Sequence, residues 1–249
     1  MSLPRKITPS NLKEAVVEIR YISRLPFEVL IGIFYKALAN DYTYSNRPIK
    51  PMPVRQPIPA KMGQEITIRI GNLSLFYNDK ISIQLAEQSI VFTSLDEYIG
   101  WKEYKPELEK ALTKLYSTKT IMQCIRVGLR YISEYENKNL KDCIKFSFSF
   151  GLPQVESETT GFHSEFMYNN SKIVLNLSNK VPFIKQQSSG NQAEIITTSI
   201  VDIDVISDNL TLTSLEELLK AIEENHTKEK EIYFSMLQPD YLESLNPEY

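Results

Sequence analysis

The sequence predicts an α+β fold, with mostly antiparallel sheets and long helices packed on one face. Three observations favour this class. Short apolar runs with period-two alternation are separated by turn residues, which is typical of antiparallel strands. Apolar residues also recur at helical spacing in a few longer segments. Finally, Arg-Tyr-Ile-Ser occurs at residues 20–23 and again at 130–133, which indicates two similar halves from an internal duplication.

The first element is a strand at residues 12–23, where β-branched residues are frequent. A period of two places Glu18 and Arg20 on one face of this strand. The opposite face is apolar and consists of Ala15, Val17, Ile19 and Tyr21. Pro26 suits the first turn of a helix, so the strand ends before it and a helix follows toward Asn40.

The rest of the first half is predicted as a loop, a meander and a helix. Five prolines at residues 48–59 remove backbone donors and predict an extended crossing loop. Short apolar runs between residues 65 and 93 predict an antiparallel meander. An apolar stripe at helical spacing then predicts a helix from near Gly100, with Pro106 in its opening turn.

The second half opens with a long predicted strand at residues 121–135. Alternation of Ile and Phe with polar residues predicts a further strand at 143–150, joined to the first by a turn at 136–141. The pair Asn169-Asn170 suits the left-handed angles of a tight turn, so a second hairpin is predicted around it.

The C-terminal part supplies one more strand and a long helix. The strand is predicted at 197–206, and the helix begins at Ser214, which is a favourable N-cap. Two α+β halves are therefore predicted, at residues 1–118 and 119–249, packed as one compact unit. The repeated tetrapeptide marks equivalent strands in them, whereas the helix that follows the first of these strands has no predicted counterpart in the second half.

Several segments of the chain resemble one known family. They are LKEAVVEIRY, GWKEYKPELEKAL before IRVGLRYIS, SIVDIDVI, and LLKAIEENHTKEKEIYF with the later LQPDYLESL. In these segments the chain resembles an uncharacterised, sporadically distributed prokaryotic family of roughly this length, which is catalogued by number and not by activity. The most specific segments are GLRY and DID, and the matching residues are Gly128, Leu129, Arg130, Tyr131, Asp202, Ile203 and Asp204, with His226 and Phe234 in the closing helix.

The resemblance covers nearly the whole chain and supports the domain span. It implies no catalytic residue, because the family has none established. The chain departs from the family at Gln238-Pro239-Asp240, where an acidic-threonine pattern is usual, so no role is assigned to that turn.

The charge balance gives no reason to expect broad electrostatic binding. Lys and Arg total 28 against 31 Asp and Glu, and the formal net charge is −3. We therefore expect no nucleic-acid partner and no membrane association. The first residues lack the apolar core of a signal peptide, and no apolar run reaches the length that spans a bilayer. Together with a low cysteine content, these features predict a cytoplasmic protein.

Several enzyme classes lack their signatures. The chain contains no G-x-G-x-x-G, no P-loop and no G-x-S-x-G elbow. Cys124 and Cys143 lie in apolar, strand-like runs that favour inert burial over a nucleophilic role. Since His163 and His226 are the only histidines, no zinc spacing of the Cys/His kind exists. No cofactor is expected.

Two short patterns permit a metal interpretation. Asp202 and Asp204 share a strand face, and paired carboxylates hold Mg²⁺ or Ca²⁺ when other oxygen ligands join them. Glu223-x-x-His226 matches half of a di-iron motif. The alternative for His226 is a hydrogen-bonded side chain at the edge of the core. Because both patterns are incomplete, no metal site is predicted.

The candidate ligand-binding residues are charged side chains on predicted strands. Arg126 and Arg130 share one strand face, as Asp202 and Asp204 share another. We hypothesise that these side chains meet where the two halves join and form a pocket for an anionic or polar ligand, since the planar guanidinium makes bidentate bonds. The full set is Glu18, Arg20, Arg126, Arg130, Asp202 and Asp204. The alternative is cross-strand ion pairing on a solvated face.

The function predicted from these features is a binding or interaction module for a partner protein or a small polar ligand, with a homo-oligomer as a further expectation. The alternative is an enzyme with an Arg/Asp pocket at the junction of the halves, for which no reaction class is supported. A binding module predicts an exposed apolar or aromatic surface, or a surface that completes a dimer. An enzyme predicts a deep pocket with convergent ionisable groups.

Overall fold

The structure is a computed structural model, and it describes residues 3–45, 74–95, 98–146, 159–186 and 193–249. Two predictions lie outside the described residues. They are the proline-rich loop with the first strand of the meander, within 46–73, and the end of the alternating run at 147–150.

The described residues form nine strands and five helices. The strands are β1 (Leu12–Ile22), β2 (Thr43–Ser45), β3 (Ser74–Tyr77), β4 (Ile81–Leu85), β5 (Ser89–Ser94), β6 (Gln123–Glu136), β7 (Thr160–Tyr168), β8 (Ser171–Gln186) and β9 (Ala193–Ser207). The helices are α1 (Phe27–Leu38), α2 (Trp101–Ser117), α3 (Leu140–Cys143), α4 (Leu215–Met236) and α5 (Pro239–Ser244).

All nine strands belong to one sheet, in the order β2-β3-β4-β5-β1-β6-β9-β8-β7. The sheet is mostly antiparallel: β1 pairs with β5, and β3, β4 and β5 form a meander. The predicted α+β class with antiparallel strands is therefore confirmed. Among the described residues, none of the helices combines the length and apolar character needed to cross a membrane.

Contacts divide the chain into two compact units that are not continuous in sequence. Unit 1 comprises Met1–Lys13, Arg130–Val205 and His226–Tyr249, and unit 2 comprises Glu14–Leu129 and Ile206–Asn225. Strands β1, β6 and β9 and helix α4 each contribute residues to both units. The predicted division at residue 118 stays a prediction.

The core of unit 1 joins strand residues of one parity with the closing helices. From the strands come Tyr135, Ile173, Leu175, Leu177, Val201, Ile203 and Val205. From α3, α4 and the residues that follow them come Leu140, Cys143, Ile144, Ile232, Tyr233, Leu237 and Leu245. Because side chains alternate across a strand, burying one set turns the intervening residues of β8 and β9 to the opposite face.

The hairpin of β7 and β8 turns at Asn169-Asn170, as predicted. Both asparagines have positive φ, 46° and 64°, the combination that matches the right-handed twist of flanking strands. Pairing is continuous from Tyr168 opposite Ser171 to Thr160 opposite Asn179. Strand β8 continues beyond this pairing to Gln186.

Unit 2 confirms the predicted face pattern of the first strand. Ala15, Val17, Ile19 and Tyr21 are buried, whereas Arg20 is exposed. Tyr104 of α2 is also buried, and its hydroxyl donates to the carbonyl of Phe92 at 2.9 Å. Pro106 is the sixth residue of α2 and lies inside the helix, not in the predicted opening turn, so the second turn lacks the backbone hydrogen bond that an amide proton at this position would donate.

The strand predicted at 143–150 is wrong at its beginning. Residues 140–143 form α3 instead of the predicted turn and strand start, and the amide of Ile144 donates to the carbonyl of Leu140 at 2.8 Å. The side chain of Asn139 accepts a hydrogen bond from the amide of Lys141, so a local cap favours a helical turn here. Helix α5, with Pro239 in its first turn, was not predicted.

Candidate functional site

The candidate residues of unit 2 form an ion-pair cluster on β1 and β6. Glu18 accepts a hydrogen bond from Nε of Arg20 at 2.8 Å through Oε1 and one from Nη1 of Arg126 at 2.7 Å through Oε2. Arg126 also lies 3.2 Å from Oδ1 of Asp208, measured from its Nε atom. Both oxygens of Glu18 are therefore engaged by guanidinium groups.

Two opposing effects set the pKa of Glu18. Partial burial raises the pKa of this carboxyl, but the hydrogen bond from Arg20 and the charge of Arg126 together outweigh it and hold the pKa below its usual range. The carboxylate is thus kept ionised and serves as an acceptor between two arginines. Such a group is a poor general acid at neutral pH.

The candidate residues of unit 1 include a bidentate ion pair. Nε and Nη2 of Arg130 each donate to one oxygen of Asp202, both at 2.7 Å. The Asp202 side chain is 9% exposed and the Arg130 side chain 45%, so the carboxylate lies in the protein while the guanidinium reaches the surface. Asp204, two residues along β9, is partly buried and points to the same face.

Two polar residues extend this pair into a line that crosses four strands. Asn176 of β8 donates from Nδ2 to Asp202 at 3.2 Å. Its Oδ1 lies 2.7 Å from Nδ1 of His163 on β7, and because an amide oxygen only accepts, Nδ1 is the protonated nitrogen. The polar line, defined as Arg130, Asp202, Asn176 and His163, thus runs over β6, β9, β8 and β7.

The structure groups the six predicted site residues into two sets of three. Glu18, Arg20 and Arg126 cluster within unit 2, whereas Arg130, Asp202 and Asp204 lie in unit 1. A pocket that combines both sets stays a prediction. The sequence prediction did not identify the partners Asp208, Asn176 and His163, because strand register decides which side chains meet across a sheet.

A second polar cluster is buried in unit 1 beneath α4. Nδ1 of His226 lies 2.9 Å from the hydroxyl of Tyr131, and the Tyr135 hydroxyl donates to that of Tyr233 at 3.2 Å. The alternative interpretation of His226 as a hydrogen-bonded residue at the core edge is therefore confirmed. Glu229, one turn further along α4, is only 4% exposed, and burial raises its pKa to about 8.

The di-iron interpretation finds no support in the surroundings of Glu223. Its carboxylate accepts from Nζ of Lys105 at 2.8 Å and from Nε1 of Trp101 at 3.2 Å. Over the described ranges, no group of three or more His, Cys, Asp and Glu residues is placed to hold a metal ion. Glu223 is accordingly an ion-pair partner on the surface of α4.

The cysteines of the chain are both buried and free. Burial raises the pKa of Cys124 to about 11 and also raises the pKa of Cys143. Since the thiolate is the reactive form, neither thiol is activated as a nucleophile.

Exposed apolar side chains are concentrated in unit 2. Nine large apolar side chains are exposed among the described residues, and six of them belong to this unit. We call these six the apolar surface of unit 2; they are Ile22, Leu25, Val29, Tyr35, Tyr44 and Met122. They lie on and beside α1: Tyr35 stacks edge-on against Tyr44 at 5.5 Å, and the amide of Met122 donates to the carbonyl of Ile22.

Comparison with known proteins does not assign the chain to a family. A scan against protein-family models and a search of curated proteins both found no match for the chain. The ion pairs, the buried cluster and the apolar surface of unit 2 are therefore the features that bear on function.

Proposed function

We propose that the protein is a binding module that recognises a partner protein through the apolar surface of unit 2. The observation that carries this proposal is the exposure of Leu25 and Val29, at 39% and 48%, together with that of Ile22, Tyr35 and Tyr44 in the same unit. Grouped apolar side chains of this kind are unfavourable in water and mark interaction surfaces. Aromatic residues such as Tyr35 are also enriched where proteins meet.

The charged candidate residues support a structural role rather than the enzyme alternative. Glu18 and Asp202 each hold two hydrogen bonds from arginine, with short, well-formed geometry. The pairs of Glu18 with Arg126 and of Asp202 with Arg130 are the cross-strand pairing that the sequence offered as the alternative to a pocket. A catalytic acid or base would instead need a proton-transfer position open to substrate.

The proposal predicts that charge on the apolar surface abolishes partner binding. Burying one Leu or Val side chain contributes about 1.5–3 kcal/mol, so Leu25→Asp with Val29→Asp should weaken the complex at least about tenfold, since 1.4 kcal/mol is a factor of ten. The measurement is the amount of co-purifying protein, quantified by mass spectrometry after gentle isolation of tagged chain from its native cells.

The matched control for this experiment is Met167→Asp, because Met167 is 68% exposed and belongs to unit 1. We expect the control to keep the partner, and both proteins to unfold at the wild-type temperature within about 2 °C, as surface substitutions do. Retention of the partner by the double variant, or equal loss in the control, would contradict the proposed surface.

We further infer that the chain is an internally duplicated member of the family it resembles. In the first half β1 is followed by the meander β3-β4-β5, whose last strand lies beside β1. In the second half β6 is followed by β7, β8 and β9, and β9 lies beside β6. A long helix follows each meander, and the repeated tetrapeptide lies at the end of β1 and within β6. Fixed order at a fixed offset supports duplication.

In the proposed duplication, α3 corresponds to α1. Between the first strand and the meander, the first half carries α1 and the second half the short α3. We also propose that the long helices pack on one face of the sheet. A reducing, cytoplasmic location is proposed with it, and the two free buried thiols support that location.

A further inference from the structure

Strand β7 lies at the end of the sheet order, where β8 is its neighbour among the described residues. An edge strand presents a row of backbone N–H and C=O groups that can pair with another strand. Natural edges are usually protected by proline, lysine or a bulge. Residues 161–167 of β7 read GFHSEFM and pair with β8 without interruption, so this described stretch contains no proline, lysine or bulge.

We propose that two copies of this chain associate by antiparallel pairing of β7 with β7, centred on Ser164. The inference concerns unit 1 and is independent of the apolar surface of unit 2. The two faces of β7 follow from its register with β8: His163 and Glu165 lie beside Asn176 and Val174, and Phe162 and Phe166 lie beside Leu177 and Ile173. Phe166 and Met167 are exposed.

The two-fold axis of the dimer must pass between two copies of the same residue. Along an edge strand every second residue turns its N–H and C=O groups outward, and antiparallel partners exchange both bonds between outward residues. Outward residues share parity, so the numbers of paired residues must sum to an even value. Three central positions keep the middle of β7 paired, and these are His163, Ser164 and Glu165.

Charge selects Ser164 among these three centres. A centre at Glu165 places two carboxylates opposite each other, which is unfavourable, and a centre at His163 leaves Glu165 without a polar side chain opposite it. A centre at Ser164 places His163 opposite Glu165 of the second copy, twice. The same register sets Phe162 against Phe166, also twice. The strand is therefore complementary to itself.

Because β7 is complementary to itself, a second copy of this chain is the partner that its edge fits. A two-fold interface uses one patch on both subunits, so each favourable pair occurs twice. Main-chain bonds along seven central residues supply the contact, as in other strand-addition complexes. Because such an edge buries less area than a standard interface, we expect a weak dimer that forms at micromolar concentrations.

A cysteine placed at the centre tests this register directly. In the proposed dimer Ser164 lies opposite itself, with Cβ atoms about 4.5–5.5 Å apart, close to disulfide distance. Ser164→Cys at 50 µM, in the full-length chain, should give mainly a covalent dimer of twice 28.8 kDa after oxidation by copper phenanthroline. Cys124 and Cys143 do not interfere, because both are buried.

The matched control is Met167→Cys. In the same register Met167 lies opposite Gly161, so two copies of residue 167 are about 20 Å apart along the strands, beyond disulfide reach. We expect it to stay monomeric on denaturing gels. Equal cross-linking of both variants, or none with Ser164→Cys, would overturn the proposal.

Charge variants provide a second measurement by sedimentation equilibrium. His163→Glu places two carboxylate pairs in the dimer and should weaken it at least about tenfold. Adding Glu165→Lys restores opposite charges in the same register and should return the affinity to the wild-type range. If neither substitution changes the affinity of the dimer, the dimer uses another surface, and that result contradicts the proposal. Loss of partner binding in the Leu25 and Val29 variant leaves these outcomes unchanged, so the two proposals fail separately.

Discussion

Replacing Glu229 with Gln is expected to raise the free energy of unfolding at pH 8 by on the order of 4 kcal/mol. Glu229 is 4% exposed, and burial raises its pKa from 4.5 to about 8. The charge of Lys230 opposes this rise only in part. Gln has the same shape as the protonated carboxyl and cannot ionise, so it removes the free-energy cost of keeping a proton on this buried group.

The direction of the pH dependence follows from proton binding. Below about pH 4.5 the carboxyl is protonated in both the folded and the unfolded chain, so it does not make the free energy of unfolding depend on pH. Between pH 4.5 and about 8 the unfolded chain loses the proton and the folded chain retains it, so stability falls by about 1.4 kcal/mol per pH unit. The advantage of Glu229→Gln should therefore grow as pH rises across this window.

Urea unfolding at pH 5 and pH 8 measures this effect. Glu224→Gln is the matched control, because Glu224 lies on the same helix with its side chain 55% exposed. We expect the control to change stability by less than about 0.5 kcal/mol at both pH values. If Glu229→Gln gave the same difference from wild type at pH 5 and pH 8, the carboxyl would not be buried as described.

The second large effect is expected from Arg130→Ala, which should lower the free energy of unfolding by about 2–3 kcal/mol. Asp202 accepts two 2.7 Å hydrogen bonds from Arg130, and its side chain is 9% exposed. Removing the guanidinium leaves a poorly hydrated carboxylate that holds, within the described part of the chain, only the bond from Asn176. The loss comes mainly from that uncompensated charge.

Arg20→Ala is the matched control for this substitution. The Arg20 side chain is 52% exposed and makes a single-nitrogen contact with Glu18, so its removal should cost less than about 1 kcal/mol. The double variant Arg130→Ala with Asp202→Ala should recover part of the loss, which chemical denaturation will report. Unchanged stability of Arg130→Ala would favour a pocket that is held ready for a ligand.

The sequence predicted elements whose signals are local. Ser214 caps α4 as expected: its Oγ accepts from the amide of Glu217, and Glu217 accepts from the amide of Ser214. The turn at Asn169-Asn170 and the two faces of β1 also follow from neighbouring residues. Such features need no knowledge of distant contacts.

The wrong start of the strand predicted at 143–150 shows where periodicity misleads. The alternation of Ile144 and Phe146 with polar residues is real, but it begins only after α3 has ended. Four residues suffice for a helical turn, and the Asn139 cap gives that turn its start. Short segments carry too few residues for a pattern of period two to exclude a capped turn.

The partners in the candidate site depend on strand register and could not be predicted. Arg130 and Asp202 are 72 residues apart in the chain, and a slip of one residue would turn either side chain to the other face. Glu229 did carry a signal, because it shares a helix face with Ile222, His226 and Tyr233. A carboxyl on an otherwise buried face indicates a residue held in the neutral form.

The most direct test of the proposed binding function is native mass spectrometry of the protein isolated gently from its own cells. We expect a species heavier than the 28.8 kDa chain by the mass of a second, different protein, and loss of that species in Leu25→Asp with Val29→Asp. The contradicting result is a retained small molecule that survives those changes and is released by Arg130→Ala. That outcome would assign the function to the polar line and not to the apolar surface of unit 2.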